Sequence, residues 1–342
     1  MLLFCDSFDH YDTAHMGEKY LTVNGVSIAS GGREGGNCLS IPRNTLISKA
    51  LPNSNELIVG FAFNPSEILP VDSDILQFFD ASNLQGALRL NSANGLDYYT
   101  YPGGHETLIA TSDVGIVNLG TYQYIEIKVL FSTASTGSIT LQMNGGNIYT
   151  VTGIQTSSTS NNYANVITFE FEINGNFSSA VFSLDDLYVC DGTGTVNNDF
   201  LGDVGVELLL PNGDGTVNDF SQVGGTSGEN YTSVNEVPPD DDSSYVYSSN
   251  PGDVDTYTLA SVGSPSAIVG VQIVASARKD DSYTRVLGLG FSDGTSYAFN
   301  DGDSLTSDYQ MYTQPFDQNP ITSADWTISD LDDGELAIKV IS

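Results

Sequence analysis

Basic residues are scarce in this chain of 342 residues. Ten lysines and arginines stand against 43 aspartates and glutamates, so the formal net charge is −33. Residues 1–196 contain 6 basic and 19 acidic residues, and residues 197–342 contain 4 and 24. A chain with this charge repels nucleic-acid phosphates and anionic membranes, and we expect neither as a partner. An acidic surface favours solubility in salt and attraction to cations or basic protein surfaces.

Cysteine is also rare, with only Cys5, Cys38 and Cys190. An odd number leaves at least one thiol unpaired. The chain lacks CxxC and Cys/His spacings, so we predict no metal-binding residues among them. Buried free thiols are the expected state in a protein made in the cytoplasm.

Long apolar runs are missing. No stretch approaches the roughly 18 consecutive apolar residues of a membrane-spanning helix. Residues 1–9 carry no basic region and reach their first acid at Asp6, so we expect no secretory signal peptide and synthesis in the cytoplasm. No segment combines a helical period with capping residues.

Patterns for catalysis are likewise lacking. The three histidines do not accompany a serine or cysteine nucleophile, and no Gly-x-Ser-x-Gly elbow occurs; they are His10, His15 and His105. Glu170 and Glu172 alternate along a strand, as the acid pair of a sandwich glycosidase can. Apolar residues alternate with them from Val166 to Ile173, so the pair fits the wet side of a half-buried strand. We predict no catalytic residues and no enzyme.

The chain is rich in short segments that are either apolar runs or alternate between apolar and polar residues, and turn residues separate them. Glu56–Phe63, Asp74–Asp80 and Tyr122–Phe131 read as strands. Ser138–Met143 and Asn147–Val151 flank Asn-Gly-Gly, a strong hairpin signal. Strands at this density predict an all-β, double-sheet sandwich of jelly-roll type.

Two similar strand patterns indicate where a first domain closes. Met1–Asp9 and Ala180–Asp191 are both apolar runs broken by aspartate, about one sandwich apart. First and last strands that lie side by side would close one module. We therefore predict two β-sandwich domains in tandem, 1–196 and 197–342. In the second, Asp203–Leu210 is the expected first strand, beside Glu335–Ile341.

An acidic segment, Asn212–Asp219, has part of the pattern of a calcium loop. The positions of its first ligand and of its bidentate ligand would be Leu210 and Ser221, neither of which is a carboxylate. We predict an acidic turn and no cofactor, with bound calcium as the alternative. Asp240–Asp242 has the same two interpretations.

One aromatic cluster has the character of a binding surface. Tyr98, Tyr99 and Tyr101 precede Pro-Gly-Gly-His105. Exposed tyrosines on a sandwich loop can stack on sugar rings while their hydroxyls stay hydrated, so these three are the predicted ligand contacts. Alternatively, Tyr99 and Tyr101 point into the core and Tyr98 covers an edge.

Several segments resemble tailed-bacteriophage structural proteins. Those that resemble their laminin-G/concanavalin-like sandwich are Leu3–Tyr11, Ser30–Leu39 and Phe182–Asp191. Those that resemble the region after such a sandwich are Gly202–Asn212, Pro239–Val246, Ala275–Asp281 and Asp325–Thr327. The resemblance implies a virion component and supplies no catalytic residues.

Two functions follow as expectations. The first is a virion structural protein on the particle exterior, a capsid decoration or head projection. It would dock on the major capsid protein or tail proteins, and multivalency would favour a homo-oligomer. The alternative is a glycan-binding adhesin or tail-associated host-recognition protein, with host glycans as its ligands. In both, the expected location is the virion.

Overall fold

Nearly all the regular secondary structure in this computed structural model, which describes residues 1–67, 71–172 and 180–342, is β-strand. The chain divides into two compact units, Met1–Val206 (unit 1) and Glu207–Ser342 (unit 2). The predicted all-β fold with tandem sandwiches is confirmed. Ile173, the predicted end of one strand, lies outside the described residues.

The described residues of unit 1 form one short α-helix, a 3-10 turn at Pro102–Gly104 and fifteen strands. In chain order they are β1 (Leu2–Asp6), α1 (Met16–Lys19), β2 (Thr22–Asn24), β3 (Ser27–Ser30), β4 (Asn37–Pro42), β5 (Thr45–Ser54), β6 (Glu56–Pro65), β7 (Ser73–Asp80), β8 (Asn83–Leu90), β9 (Leu96–Thr100), β10 (Thr107–Thr111), β11 (Gln123–Leu130), β12 (Gly137–Met143), β13 (Gly146–Ile154), β14 (Ala164–Phe171) and β15 (Val181–Asp191).

These strands form two antiparallel sheets. The first runs β13-β12-β11-β6-β15-β4-β3, with β1 also paired to β15, and the second runs β10-β9-β8-β7-β14-β5-β2. The pairing of β1 with β15 confirms that the first and last strands lie side by side. The predicted hairpin is confirmed as β12–β13, where Asn144 and Gly145 both have positive φ, as its tight turn requires.

Aromatic side chains from the two sheets meet in the core of unit 1. The Phe61 and Phe169 ring centroids lie 5.1 Å apart, edge to face, and the Phe171 and Phe182 rings stack at 3.9 Å. All four side chains are buried. Alternation along β6, β14 and β15 supplies these contacts, because every second side chain points to the same face.

Unit 2 contains ten strands, a 3-10 turn at Asn230–Ser233 and one helix with a capping box. They are β16 (Pro211–Asn218), β17 (Ser221–Val223), β18 (Tyr245–Tyr247), β19 (Val254–Leu259), β20 (Val271–Ala277), β21 (Val286–Ser292), β22 (Tyr297–Phe299), β23 (Asp303–Ser304), β24 (Gln310–Phe316), α2 (Ile328–Asp332) and β25 (Glu335–Val340).

The main sheet of unit 2 runs β16-β19-β25-β21-β22, with β23 on β21. The β20–β24 pair packs against it through a cluster centred on Ile273, Leu287 and Leu289. The β17–β18 pair is separate from both.

Two predictions for this region are wrong. Asp203–Leu210 forms no strand, and β25 lies between β19 and β21 instead of beside that segment. The Val206 N–H donates to a side chain, Asp186 Oδ1, and not to a neighbouring strand. A local apolar pattern predicts a strand here, because it carries no information about a backbone bond to a distant side chain.

Among the described residues, no helix is long and apolar enough to cross a membrane.

Candidate functional site

The three predicted ligand-contact tyrosines do not share one face of β9. Tyr98 is fully buried, while Tyr99 and Tyr101 are half-buried on the outer side. The alternative prediction placed Tyr99 and Tyr101 in the core and Tyr98 at an edge, and the structure shows the opposite arrangement. Tyr98 pairs with Leu88 across β8 on the core side. The ligand-contact prediction can therefore apply only to Tyr99 and Tyr101.

Arg89 is the centre of the outer face beside these tyrosines. Its guanidinium carbon lies 4.2 Å from the Tyr99 ring centroid, a stacking contact. Its Nε donates to Asp74 Oδ1 at 2.5 Å. Its two terminal nitrogens donate to the Glu106 carboxylate at 3.2 Å each. Tyr101 completes the group, because its hydroxyl donates to Glu106 at 3.1 Å.

Strand pairing explains this convergence. Arg89 lies opposite Asp74 of β7, and Tyr99 lies opposite Ala87 of β8, two residues before Arg89. Side chains two apart on a strand share a face, so Arg89 and Tyr99 emerge together. Glu106 precedes β10, which pairs with β9.

An open cavity of about 310 Å³ adjoins Arg89. It is lined by Val71, Asp72, Asp74, Arg89 and Glu172. We call it the Arg89 cavity. Of the described lining residues, Arg89 alone is basic, and the segments 68–70 and 173–179, outside the described residues, contain no lysine or arginine. The cavity is thus bordered mainly by carboxyl groups.

The electrostatics of the site have two consequences. The Asp74 and Glu106 carboxylates hold the pKa of Arg89 above its usual value against the effect of burial, so its charge is permanent and already paired. The Arg89 guanidinium lowers the pKa of Glu106. Burial, then the neighbouring Glu172 and Asp74 charges, raise the pKa of Glu170. Glu170 therefore ionises less readily than an isolated glutamate.

Glu170 and Glu172, predicted from the sequence to lie on the solvent-facing side of a strand, belong to this acidic surface. Glu170 is half-buried at the end of β14, and Glu172 is exposed just beyond the strand. Gln77 of β7 links Glu170 to the site, since it hydrogen-bonds Asp74 at 2.8 Å and also lowers the pKa of Glu170.

The remaining sequence candidates lie elsewhere. His105 is exposed, and the His15 ring contacts Asp12 at 2.7 Å. The calcium-like segment forms β16, where Asp214 accepts the backbone N–H groups of Asn230 and Tyr231 at 3.2 and 2.8 Å. Both Asp214 carboxylate oxygens are therefore hydrogen-bonded to the chain's own backbone.

Sequence reasoning missed Arg89, Asp74 and Glu106. Asp74 begins a predicted strand and Glu106 directly follows the tyrosine segment, and only the pairing of β7, β8, β9 and β10 brings both to Arg89. One signal was present in the sequence. Arg89 is one of only ten basic residues, and an outward-facing arginine on an apolar strand needs a partner.

No family model matches this chain, and no curated protein matches it. Solved structures do. An endo-β-1,4-glucuronan lyase from Trichoderma reesei is 14% identical with a TM-score of 0.39, over 50% of this chain and 90% of that one. A carbohydrate-binding module from Bacillus subtilis is 7% identical with a TM-score of 0.33, over 48% and 92%. A carbohydrate esterase of the Shiga toxin-encoding bacteriophage phi24B is 11% identical with a TM-score of 0.34, over 49% and 87%.

These comparisons correct one prediction. The sequence analysis excluded an enzyme, but the solved structures that match this chain include polysaccharide lyases and a carbohydrate esterase. The exclusion is therefore withdrawn. At such identities and scores the likeness concerns the sandwich fold alone, and capsid decoration gains no support from it.

Proposed function

We propose that this protein binds glycans at the Arg89 cavity, and that the site accepts neutral or amine-bearing sugars and rejects uronic acids. The observation that carries this proposal is the pairing of Arg89. Its guanidinium donates to Asp74, to both oxygens of Glu106 and to the Tyr101 hydroxyl, so four of its five N–H groups are engaged and its charge is already paired with two carboxylates.

The site combines aromatic side chains with hydrogen-bond acceptors, the two kinds of group that contact a sugar ring. Half-buried Tyr99 and Tyr101 both contact Arg89, which lines a cavity about 310 Å³ in volume, the lower size range of ligand pockets. Carboxylates such as Asp72 and Glu172 accept hydrogen bonds from hydroxyls or ammonium groups. Sugars present hydroxyls around an apolar ring face, so both kinds of contact are used.

Charge then decides between sugar classes. A ligand carboxylate about 4 Å from an unpaired carboxylate meets a repulsion of roughly 4 kcal/mol near a protein surface, before screening by salt. An ammonium group at the same distance gains a comparable attraction. Discrimination of this kind relies on a repulsive element as much as on an attractive one.

Calorimetric titration with three oligosaccharides tests the proposal. Chitin and chitosan oligomers share a backbone and differ in N-acetyl against free amine, and alginate oligomers carry carboxylates. At about pH 6, where amines are largely protonated, we expect chitosan to bind more tightly than chitin and alginate not to bind. Tight alginate binding would contradict the charge argument, and no binding of any neutral or amine-bearing glycan would contradict the site.

Variants locate the binding. Tyr99→Ala should weaken chitin and chitosan binding about tenfold, or roughly 1.4 kcal/mol, through lost ring contact. Glu172→Gln should weaken chitosan binding and leave chitin binding unchanged. Tyr283→Ala is the matched control, because Tyr283 is 70% exposed and belongs to unit 2.

Glycan cleavage is a second candidate, and Glu170 favours it. Burial and nearby acidic groups raise the pKa of Glu170, and a raised pKa is what the proton-donating carboxyl of glycoside hydrolysis requires. Size analysis of chitin and chitosan oligomers after incubation with the protein tests for this. Cleavage is supported if the wild-type protein produces shortened oligomers and the Glu170→Gln variant does not. Oligomers left unchanged by the wild-type protein would refute it.

For the biological setting, we propose display on the exterior of a phage particle, following the resemblance of the sandwich segments to virion proteins. Glycan binding there would serve host recognition. Antibody labelling of intact particles, viewed by negative-stain microscopy, tests this. Signal at the tail or head surface is expected, and unlabelled particles would contradict it.

A further inference from the structure

Asp6 and Lys19 form an ion pair that is sealed from water. Lys19 Nζ lies 3.0 Å from Asp6 Oδ2, and both side chains are fully buried. Asp6 is the last residue of β1 and Lys19 is the last residue of α1. Aromatic rings close the space around the ammonium group, whose Nζ lies 5.1 Å from the Phe4 centroid and 5.2 Å from the Tyr11 centroid.

The Asp6 carboxyl group is held in place by donors on both oxygens. Oδ2 accepts the Tyr11 and Tyr20 hydroxyls at 2.8 and 2.7 Å, and Oδ1 accepts the Phe8 N–H at 2.9 Å. Phe8 has φ of 61°, a conformation that bulky residues rarely adopt. The turn that places this carboxyl beside Lys19 is therefore specified by several contacts at once.

Positive charge exceeds negative charge in this cluster. Lys49 Nζ lies 4.3 Å from the Phe4 centroid and donates to the Lys19 carbonyl at 2.8 Å, so two ammonium groups share one carboxylate. Burial, then the Lys19 charge, lowers the pKa of Lys49 to about 8. Loss of a proton from either lysine relieves this excess.

A proton acceptor already contacts Lys19. His10 Nε2 lies 3.0 Å from Lys19 Nζ, and His10 Nδ1 lies 4.0 Å from Asp6 Oδ1. Burial, then the Lys19 charge, lowers the pKa of His10 to about 4, so its ring is neutral at pH 7. The imidazole thus spans the two groups of the pair.

We propose that Lys19 and Asp6 condense to an intramolecular amide, so that β1 and α1 become covalently joined. Lys19 Nζ gives one proton to His10 Nε2, and the free amine attacks Cγ of Asp6. The Cγ–Oδ2 bond breaks, and Oδ2 leaves as water with one proton from His10 and one from Nζ. The step consumes no oxidant or other reactant.

The surroundings favour this step in both rate and equilibrium. The Tyr11 and Tyr20 hydroxyls donate to Oδ2, the oxygen on which charge builds as it leaves. Fixed proximity removes the entropy cost of bringing amine and carboxyl together. The product replaces a buried ion pair, which is costly to desolvate, with a neutral amide, and little water is present to reverse the step.

Mass spectrometry of the denatured full-length protein tests the proposal without any variant. We expect the wild-type mass to be lighter than the sequence mass by one water molecule. Trypsin cuts after free lysine and not after acylated lysine. The digest should therefore contain a peptide of residues 1–33, lighter by one water, in place of the separate peptides 1–19 and 20–33.

Two variants complete the test. Lys19→Arg keeps the charge but cannot form this amide, so its full sequence mass is expected. His10→Gln should slow the conversion of freshly made protein on the order of 100-fold, the usual contribution of a placed proton acceptor. A wild-type protein of full sequence mass that releases peptide 1–19 would overturn the proposal. A mass loss located outside residues 1–33 would overturn it as well.

Discussion

Asn230 in unit 2 shows how a single side chain can satisfy several buried groups. It is 4% exposed, and its Nδ2 donates to Asp255 Oδ2 at 2.7 Å and to the Phe220 carbonyl at 3.0 Å. The Asp255 carboxylate has no cation partner among its contacts, and it also accepts the Tyr257 hydroxyl at 2.9 Å and the Phe220 N–H at 2.7 Å. Burial raises the pKa of Asp255.

Asn230→Ala should therefore destabilise unit 2 by about 2–4 kcal/mol, because Asp255 and the Phe220 carbonyl would each lose a buried donor. Urea unfolding followed by near-UV circular dichroism measures this. Asn212→Ala is the control, since Asn212 is exposed, and its midpoint should not move. Equal midpoints for the two variants would show that the buried bonds contribute nothing net.

Asp185 in unit 1 predicts a pH dependence of stability. Burial, then the adjacent Asp186 charge, raises the pKa of Asp185 to about 7. An unfolded aspartate titrates near 3.9. Because the folded pKa is the higher one, this group's contribution is fully present below about pH 4 and is lost as the pH rises through about 7.

Asp185→Asn should remove that loss, so its stability should fall less than that of wild type between pH 4 and pH 7. Urea midpoints at intervals across this range measure the difference. A parallel decline in variant and wild type would mean that Asp185 ionises normally.

At the scale of elements, the segment 200–206 acts as a cover on the first sheet of unit 1. Phe200, Leu201 and Val204 pack against a cluster that includes Tyr124 and Tyr188. Polar contacts hold the cover in place. The Gly202 N–H donates to Glu126 Oε1 at 2.8 Å, and the Leu201 N–H donates to the Tyr188 hydroxyl at 3.1 Å.

Leu201→Ala should destabilise unit 1 by about 1–2 kcal/mol, at the low end for leucine because the side chain is half-buried. Thermal unfolding of the full chain measures this. Val114→Ala serves as the apolar control, since Val114 is 76% exposed. A Leu201 variant as stable as the Val114 variant would show that the packing of Leu201 on the sheet does not stabilise unit 1.

The same elements show how far the sequence could be interpreted. The apolar run Glu56–Phe63 and the Asn-Gly-Gly turn report local geometry, and both predictions are confirmed. The segment 203–210 is also rich in apolar residues, yet it forms no strand, and the Val206 N–H bonds instead to the side chain of Asp186. Likewise, the contacts of Arg89 with Asp74 and Glu106 depend on strand pairing that no local pattern encodes.

For the whole molecule, the net charge of −33 is the dominant long-range feature. Like charges spread over a folded surface repel one another, and unfolding lets them move apart. Several local pairs reduce this repulsion, such as Arg33 with Asp186 at 2.7 Å and Arg285 with Asp281 at 2.6 Å. Ten basic residues cannot neutralise 43 acids, so most of the repulsion persists.

Added salt should therefore stabilise this protein. Raising NaCl from about 0.05 to 0.5 M shortens the Debye length from roughly 14 to 4 Å, and we expect the Tm at pH 7 to rise by about 2–6 °C. At pH 5, nearer the sequence pI of about 4.1, fewer acids are charged and the rise should be smaller. Differential scanning calorimetry at both pH values measures this. A Tm that falls with salt at pH 7 would mean that the paired charges outweigh the general repulsion.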